Sequence, residues 1–277
     1  MPSNRAAFGR LAACLCLGLL LTLLLCACHR SETSALSAGS DPAPAPNGRL
    51  LVGFDADFPP FSFVDDEGRQ AGFDYELAGA VCAAQGWEFV PVFMSWDEKD
   101  DLLDSGQIDC IWSCFSITSR ENDYAWSVPY LDNQFVVVTR DALPIRKLAD
   151  LAGRRVCVQS STSLANILVG EYAGLTATFS ELCLMDDNET AMLYLTAGKT
   201  DACVLDLAAA GYFLSRYDGQ LRLLSDVLSN DQCGVAFRPG DARAETVSRA
   251  LQAMQADGSL AALADKWELG ALVRAGS

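Results

Sequence analysis

From Arg49 onward, short apolar runs rich in β-branched and aromatic residues alternate with runs of helical periodicity, and that alternation leaves few folds open. Residues 50–55, 88–94 and 108–112 read as strands, with helices over 74–85 and 97–103 between them. On the first helix Leu77, Val81 and Ala84 recur at spacings of four and three and are expected to face a sheet. After an apolar run at 134–139 a second series follows: strand 155–159, helix 163–172, strand 176–179, helix 188–197 and strand 201–205. A strand at 233–240 and helices over 242–256 and 260–268 complete the pattern. It predicts an α/β protein with parallel sheets, long enough for two lobes of roughly 100 to 150 residues each. Ligands of open α/β sheets sit beyond the carboxyl ends of the strands, so the cleft between lobes is the expected site.

The segment before Arg49 reads as an address. Arg5 and Arg10 precede an uncharged apolar run over 11–27, a secretory signal that is short and wrongly flanked for a membrane span. Leu25-Cys26-Ala27-Cys28 looks like a lipobox, which makes Cys28 the expected lipidation site and residues 1–27 the signal. Residues 28–48, rich in Ser, Pro and Ala, form a tether too poor in apolar surface to fold. Cleavage before Cys28 removes two arginines and no acids, taking the formal charge from −16 to −18. A chain this acidic is a poor partner for nucleic acid or anionic lipid.

Seven of the eleven cysteines lie beyond Cys28, so at least one has no partner within a monomer. Cys110, Cys157 and Cys203 sit in apolar strand-like runs and read as core thiols. A Cys183 to Cys233 disulfide is one pairing open to an exported protein. No CxxC spacing occurs, and the chain's only histidine, His29, is in the tether. A His-containing zinc site or a Ser/His/Asp triad inside the folded part is thereby excluded, and neither a metal nor a cofactor is expected.

The run Ser113-Cys114-Phe115-Ser116-Ile117-Thr118-Ser119-Arg120 reads as a ligand-binding loop, with hydroxyls at Ser116 and Thr118 and a guanidinium whose planar fork matches a carboxylate. Around it stand Gly53-Phe54-Asp55-Ala56-Asp57-Phe58-Pro59-Pro60-Phe61, Gly72-Phe73-Asp74-Tyr75-Glu76-Leu77-Ala78, Trp126-Ser127-Val128-Pro129-Tyr130 and the strand-like Asp201-Ala202-Cys203-Val204-Leu205-Asp206. Taken together, these stretches resemble the polar amino-acid solute-binding proteins of ABC importers. The resemblance runs from about Leu50 to Glu268.

It implies a type II, two-lobe fold in which two long strands cross between lobes: lobe one over 49–136 and 234–277, lobe two over 137–233. It also implies that Arg120 clamps an α-carboxylate with Ser116 and the backbone N–H groups of Thr162 and Ser163. Gln159, which ends the strand before that helix start, is expected among the ligand-binding residues as well. Asp206 is expected on the α-ammonium, although by position it serves equally as a cap for a helix starting near Leu207. Phe58 and Trp96 are expected to sandwich the side-chain stem, or else to lie in the core. Asp55 sets the polarity of the side-chain end, Ser113 and Cys114 occupy a place where small residues meet the ligand, and Asp57 faces solvent. Two departures stand out: Thr118 and Arg120 are one residue closer than the family's Thr-x-x-Arg, and Ser161-Thr162 replaces a common Gly-Thr.

The function these features imply is an extracytoplasmic, lipid-anchored receptor. It captures a free polar or basic L-amino acid and delivers it to an ABC permease with its ATPase, without catalysis. Two rivals share the scaffold. One is an enzyme like the exported cyclohexadienyl dehydratases, for which Asp55, Glu121 and Asp206 are the candidate acids. The other is a sensor domain that binds identically and differs only in partner.

Overall fold

The structure is a computed structural model that describes residues 48–65 and 67–273. The expected signal, the Cys28 lipidation site and the tether up to residue 47 lie outside the described residues. In chain order the first part contains β1 (Arg49–Asp55), β2 (Asp57–Phe58), β3 (Ser62–Val64), β4 (Gln70–Ala71), α1 (Phe73–Gln85), β5 (Glu88–Met94), α2 (Lys99–Asp104), β6 (Cys110–Ser116), β7 (Ala125–Trp126) and β8 (Leu131–Arg140). There follow β9 (Arg155–Gln159), α3 (Ser163–Val169), α4 (Ala173–Thr176), β10 (Glu181–Met185), α5 (Asn188–Thr196), β11 (Ala202–Asp206), α6 (Leu207–Arg216) and β12 (Leu221–Leu223). The chain closes with β13 (Ser229–Phe237), α7 (Arg243–Asp257) and α8 (Ser259–Lys266).

The main sheet runs β10-β9-β11-β8-β13-β6-β1-β5, with β2, β3 and β4 in a small separate sheet. One half, β5-β1-β6, is parallel, and so is the other, β10-β9-β11. Between them β8 and β13 pair antiparallel over 131–135 and 229–233, then diverge: β8 continues along β11, and β13 along β6. These two strands therefore belong to both halves. Parallel strands covered on both faces need continuous apolar runs; all seven residues of β6 are buried, as are Val156, Cys157 and Val158 of β9.

Several predicted elements shift. The strand expected over 108–112 begins at Cys110 and runs on through Ser116, so Ser113, Cys114 and Ser116 are strand residues rather than loop. The β1 ladder holds Cys110 and Ile111, the β13 ladder holds these two and Phe115 and Ser116, and the Cys114 N–H between them is taken up by the Asp74 carboxylate. No strand forms over 176–179: Thr176 ends α4, its hydroxyl donating to the Leu168 carbonyl, and the strand lies at β10 instead. The inward stripe of α1 is Leu77, Ala78, Val81 and Cys82, whereas Ala84 is exposed. Cys233 pairs with Cys114, not with Cys183, which is a free thiol. The reason is topological: β6 and β13 pair antiparallel with Ser116 opposite Cys233, bringing the two cysteine Cα atoms to 4.7 Å across 119 residues of sequence. Cys110, Cys157 and Cys203 are buried free thiols, as expected.

The start of α1 is fixed from outside. Gly72 sits at φ 129°, and a Cβ there would stand 2.2 Å from the Phe61 carbonyl oxygen, so only glycine fits. With Phe73 and Asp74 donating to the carbonyls of Pro60 and Phe61, the Asp74 carboxylate is placed under β6, where it accepts the Cys114 N–H at 2.5 Å. Asp74 is fully buried, and burial pushes its pKa up to about 7 against that N–H.

A raised carboxyl pKa favours the fold while the group is neutral, below the unfolded value near 3.8, and the advantage is lost as pH rises through about 7. Asp74→Asn is therefore expected to melt above the wild type at pH 8, by as much as about 4 kcal/mol in stability. The gap should close toward pH 5. Thermal denaturation of both proteins at the two pH values checks this; an equal gap at both would remove the buried charge as the cause.

Candidate functional site

At the carboxyl ends of β1, β6, β9 and β11 lies a small cavity of about 40 Å³. All eleven residues singled out from the sequence line it: Asp55, Phe58, Trp96, Ser113, Cys114, Ser116, Arg120, Gln159, Thr162, Ser163 and Asp206. Asp57 is exposed, as expected, and Glu121 is exposed outside the cavity with a carboxylate oxygen accepting the Ser119 N–H. Two of the three acids considered for catalysis thus share the cavity, and Glu121 does not.

One wall is cationic. Arg120 follows the end of β6, its carbonyl held by the Trp126 indole N–H at 3.0 Å and its guanidinium lying 4.7 Å from the centre of the Phe115 ring. That guanidinium donates to the Ser161 carbonyl at 3.2 Å but makes no ion pair with any described carboxylate. Burial draws its pKa below the ordinary value. The Ser116 hydroxyl and the Trp96 indole nitrogen, both buried, have no hydrogen-bond partner among the described residues. Facing them, Thr162 caps α3 by accepting the Ala165 N–H at 3.1 Å, and Ser163 is buried on the first turn, where helix N–H groups lack internal partners. This side has donors and a positive charge to spare.

The other walls are anionic. Asp206 stands at the N-cap position of α6 without a capping bond from its side chain, so the cap alternative does not describe it. Its carboxylate instead accepts the Asn133 amide at 2.5 Å. Burial pushes its pKa up to about 7, the Asn133 bond opposing and the nearby Asp231 carboxylate adding to the rise. Asp55 is also buried, with a pKa pushed up to about 6 chiefly by burial. Its carboxylate accepts the Asp57 N–H and the Gln159 amide, each at 3.0 Å, while its own N–H donates to Ser113. Asn188 in turn donates to the Gln159 carbonyl oxygen at 2.8 Å.

Hydrogen bonds that join the two sheet halves around the cavity include Gln159 to Asp55, Arg120 to Ser161, and the Ser160 hydroxyl to Asp97 at 3.2 Å. Phe58 and Trp96 do line the cavity, Trp96 meeting Phe115 edge to face at 5.4 Å. Phe115 and Asn188 are cavity residues that sequence reasoning missed. For Asn188 the available signal was its place at the start of a predicted helix, behind the Asp187 cap.

The chain is similar to proteins that are already known. The L-cystine-binding protein TcyJ of Escherichia coli (strain K12) is 31% identical over 224 residues, covering 79% of this chain and 82% of its own. A mutant of ArgBP from T. maritima, a protein also solved in an arginine-bound form, superposes with a TM-score of 0.72 at 36% identity, covering 80% of this chain and 96% of its own. An ancestral amino acid-binding protein described as a precursor of cyclohexadienyl dehydratase superposes equally, at TM-score 0.72 and 28% identity, over 80% of this chain and 96% of its own. The α/β architecture is accordingly the two-lobe one of the type II periplasmic binding proteins. With residues 50–271 matching that family's sequence model, the chain belongs to the bacterial extracellular solute-binding proteins, family 3.

Proposed function

We propose that the protein is an extracytoplasmic receptor that encloses a free L-amino acid between its two lobes and hands it to an ABC importer permease and its ATPase. The observation that carries this reading is the pairing of opposite walls. Arg120 has no described carboxylate partner beside an unsatisfied Ser116 hydroxyl, and Asp206 has only an amide. An α-amino acid brings the missing carboxylate and ammonium in one molecule, and leaving either protein charge buried without them is costly. Phe58 and Trp96 flank the side-chain stem, and Asp55 with Gln159 and Asn188 offers a polar end suited to polar or basic side chains. The lobes run over 49–136 with 234–277, and over 137–233; both divisions fall within β8 and β13, where bending lets the lobes open and close. Cys28 carries the lipid anchor and residues 28–48 the tether.

A thermal-shift panel of the common L-amino acids with cystine, ornithine and citrulline tests the reading. A ligand at a hundredfold excess over Kd adds about 2.7 kcal/mol, worth several degrees for a domain of this size. One chemical group of amino acids is expected to shift the melting point, and no shift with any of them overturns the assignment. A second reading, a dehydratase-like enzyme, draws on the raised pKa values of Asp55 and Asp206, which suit acid–base work near neutral pH. Steady conversion of prephenate or arogenate would favour it.

A further inference from the structure

Asn133 on β8 and Asp231 on β13 are register partners where the two long strands pair, and both are almost fully buried. The Asn133 amide donates to Asp206 at 2.5 Å and to Asp231 at 3.4 Å. The other oxygen of Asp231 accepts the Thr118 N–H at 3.4 Å, two residues before Arg120. The first link is tight, and the two at 3.4 Å lie at the long end of hydrogen bonding. A chain of contacts therefore runs from the acid at one end of the cavity, across the paired strands, to the segment carrying the guanidinium at the other.

We propose that Asn133 and Asp231 form a relay on the crossing strands that holds Asp206 in register with Arg120 and sets how readily Asp206 carries its charge. The proposal rests on the amino-acid reading above. Asn133 and Asp231 are positioning residues, acting through Asp206 and the 118–120 backbone. Their effects on Asp206 oppose each other: the Asn133 N–H stabilises the carboxylate, whereas the Asp231 carboxylate disfavours a second negative charge beside it. The Asn133 carbonyl oxygen has no partner among the described residues, consistent with an amide turned so that its NH₂ group meets both acids. The other charged groups of the cavity are Asp55 and Arg120. Neither Asp206 nor Asp231 has an ion pair among the described residues, so an incoming ammonium is the cation that relieves the pair.

The test is a carboxyl ¹³C NMR titration of Asp206 in the ligand-free protein, for the wild type, Asn133→Leu and Asp231→Asn, with the resonance identified by its loss in Asp206→Asn. Affinities for L-arginine and L-cystine are measured across the same pH range. Loss of a hydrogen bond to a charged group is expected to raise the Asp206 midpoint in Asn133→Leu by about one pH unit or more. Asp231→Asn, nearly isosteric, is expected to lower it. Wherever either amino acid binds, the pH at which its affinity falls should move in the same two directions. A purely structural role would weaken binding alike at every pH. Unmoved midpoints, or midpoints that move together, overturn the relay whatever the ligands do. Midpoints that move apart while none of the amino acids of the thermal-shift panel binds leave the relay standing and overturn the amino-acid reading beneath it.

Discussion

Arg120→Ala is expected to weaken binding of the amino acid by about 2 to 5 kcal/mol, a loss of roughly thirty- to several-thousand-fold. The size follows from what remains behind: the guest's carboxylate would still be drawn into a closed cavity, facing the Ser116 hydroxyl and the start of α3 but no cation. Most of the loss is the cost of that buried, unpaired charge rather than the worth of one contact. The protein itself should be little affected, because the guanidinium makes no ion pair among the described residues and its main-chain carbonyl keeps the Trp126 bond in the variant. Arg120→Lys restores charge without the planar fork and is expected to fall between wild type and alanine. Isothermal titration of the three proteins at one pH checks this. Wild-type affinity in Arg120→Ala would end the carboxylate-clamp assignment.

The cavity residues were legible in the sequence to the extent that they sit at strand ends. Asp55, Gln159 and Asp206 each close an apolar run, which puts them at the cleft end of a strand, while the choice for Asp206 between a ligand role and a helix cap came from the family resemblance. The polar residues inside a strand were harder to place. Ser113, Cys114 and Ser116 break the apolar pattern and look like loop, yet pairing with the distant β13 and the Asp74 carboxylate on the Cys114 N–H extend β6 through Ser116. Edge elements gave the weakest signal: β10 leaves Leu184 exposed and lacks the continuous burial that marks β9, and the sequence pattern points to the nearby 176–179 run instead. Contacts made only when distant elements meet had no local signal at all. The Cys114 to Cys233 pairing and the placement of Asn133 between Asp206 and Asp231 both require β13 to lie between β8 and β6. That order is a property of topology, and no window of sequence contains it.

Affinity for the amino acid is expected to be nearly constant above about pH 8 and to fall about tenfold per pH unit below about 7, the midpoint set by Asp206. In the ligand-free site, burial and the neighbouring Asp231 carboxylate hold the Asp206 pKa near 7, so a large share of molecules carry a proton there at neutral pH. The guest's ammonium stays charged throughout this range and needs the ionised carboxylate. Binding below the midpoint must therefore expel a proton, and the work of doing so grows as pH falls. The sign is the reverse of that expected for a site whose acid is neutral when occupied. Titrations between pH 5.5 and 8.5 in buffers of different ionisation enthalpy would show proton release rising toward one per guest as pH drops. Asp55, with a pKa near 6, adds a second and lower step where its charge meets the side chain. Asp206→Asn separates the two: it should lose about 2 to 5 kcal/mol of affinity at pH 8, where the wild-type acid is ionised, and keep only the lower step. If Asp206→Asn retains the fall centred near pH 7, the ammonium is bound elsewhere in the cavity and the proton belongs to another group.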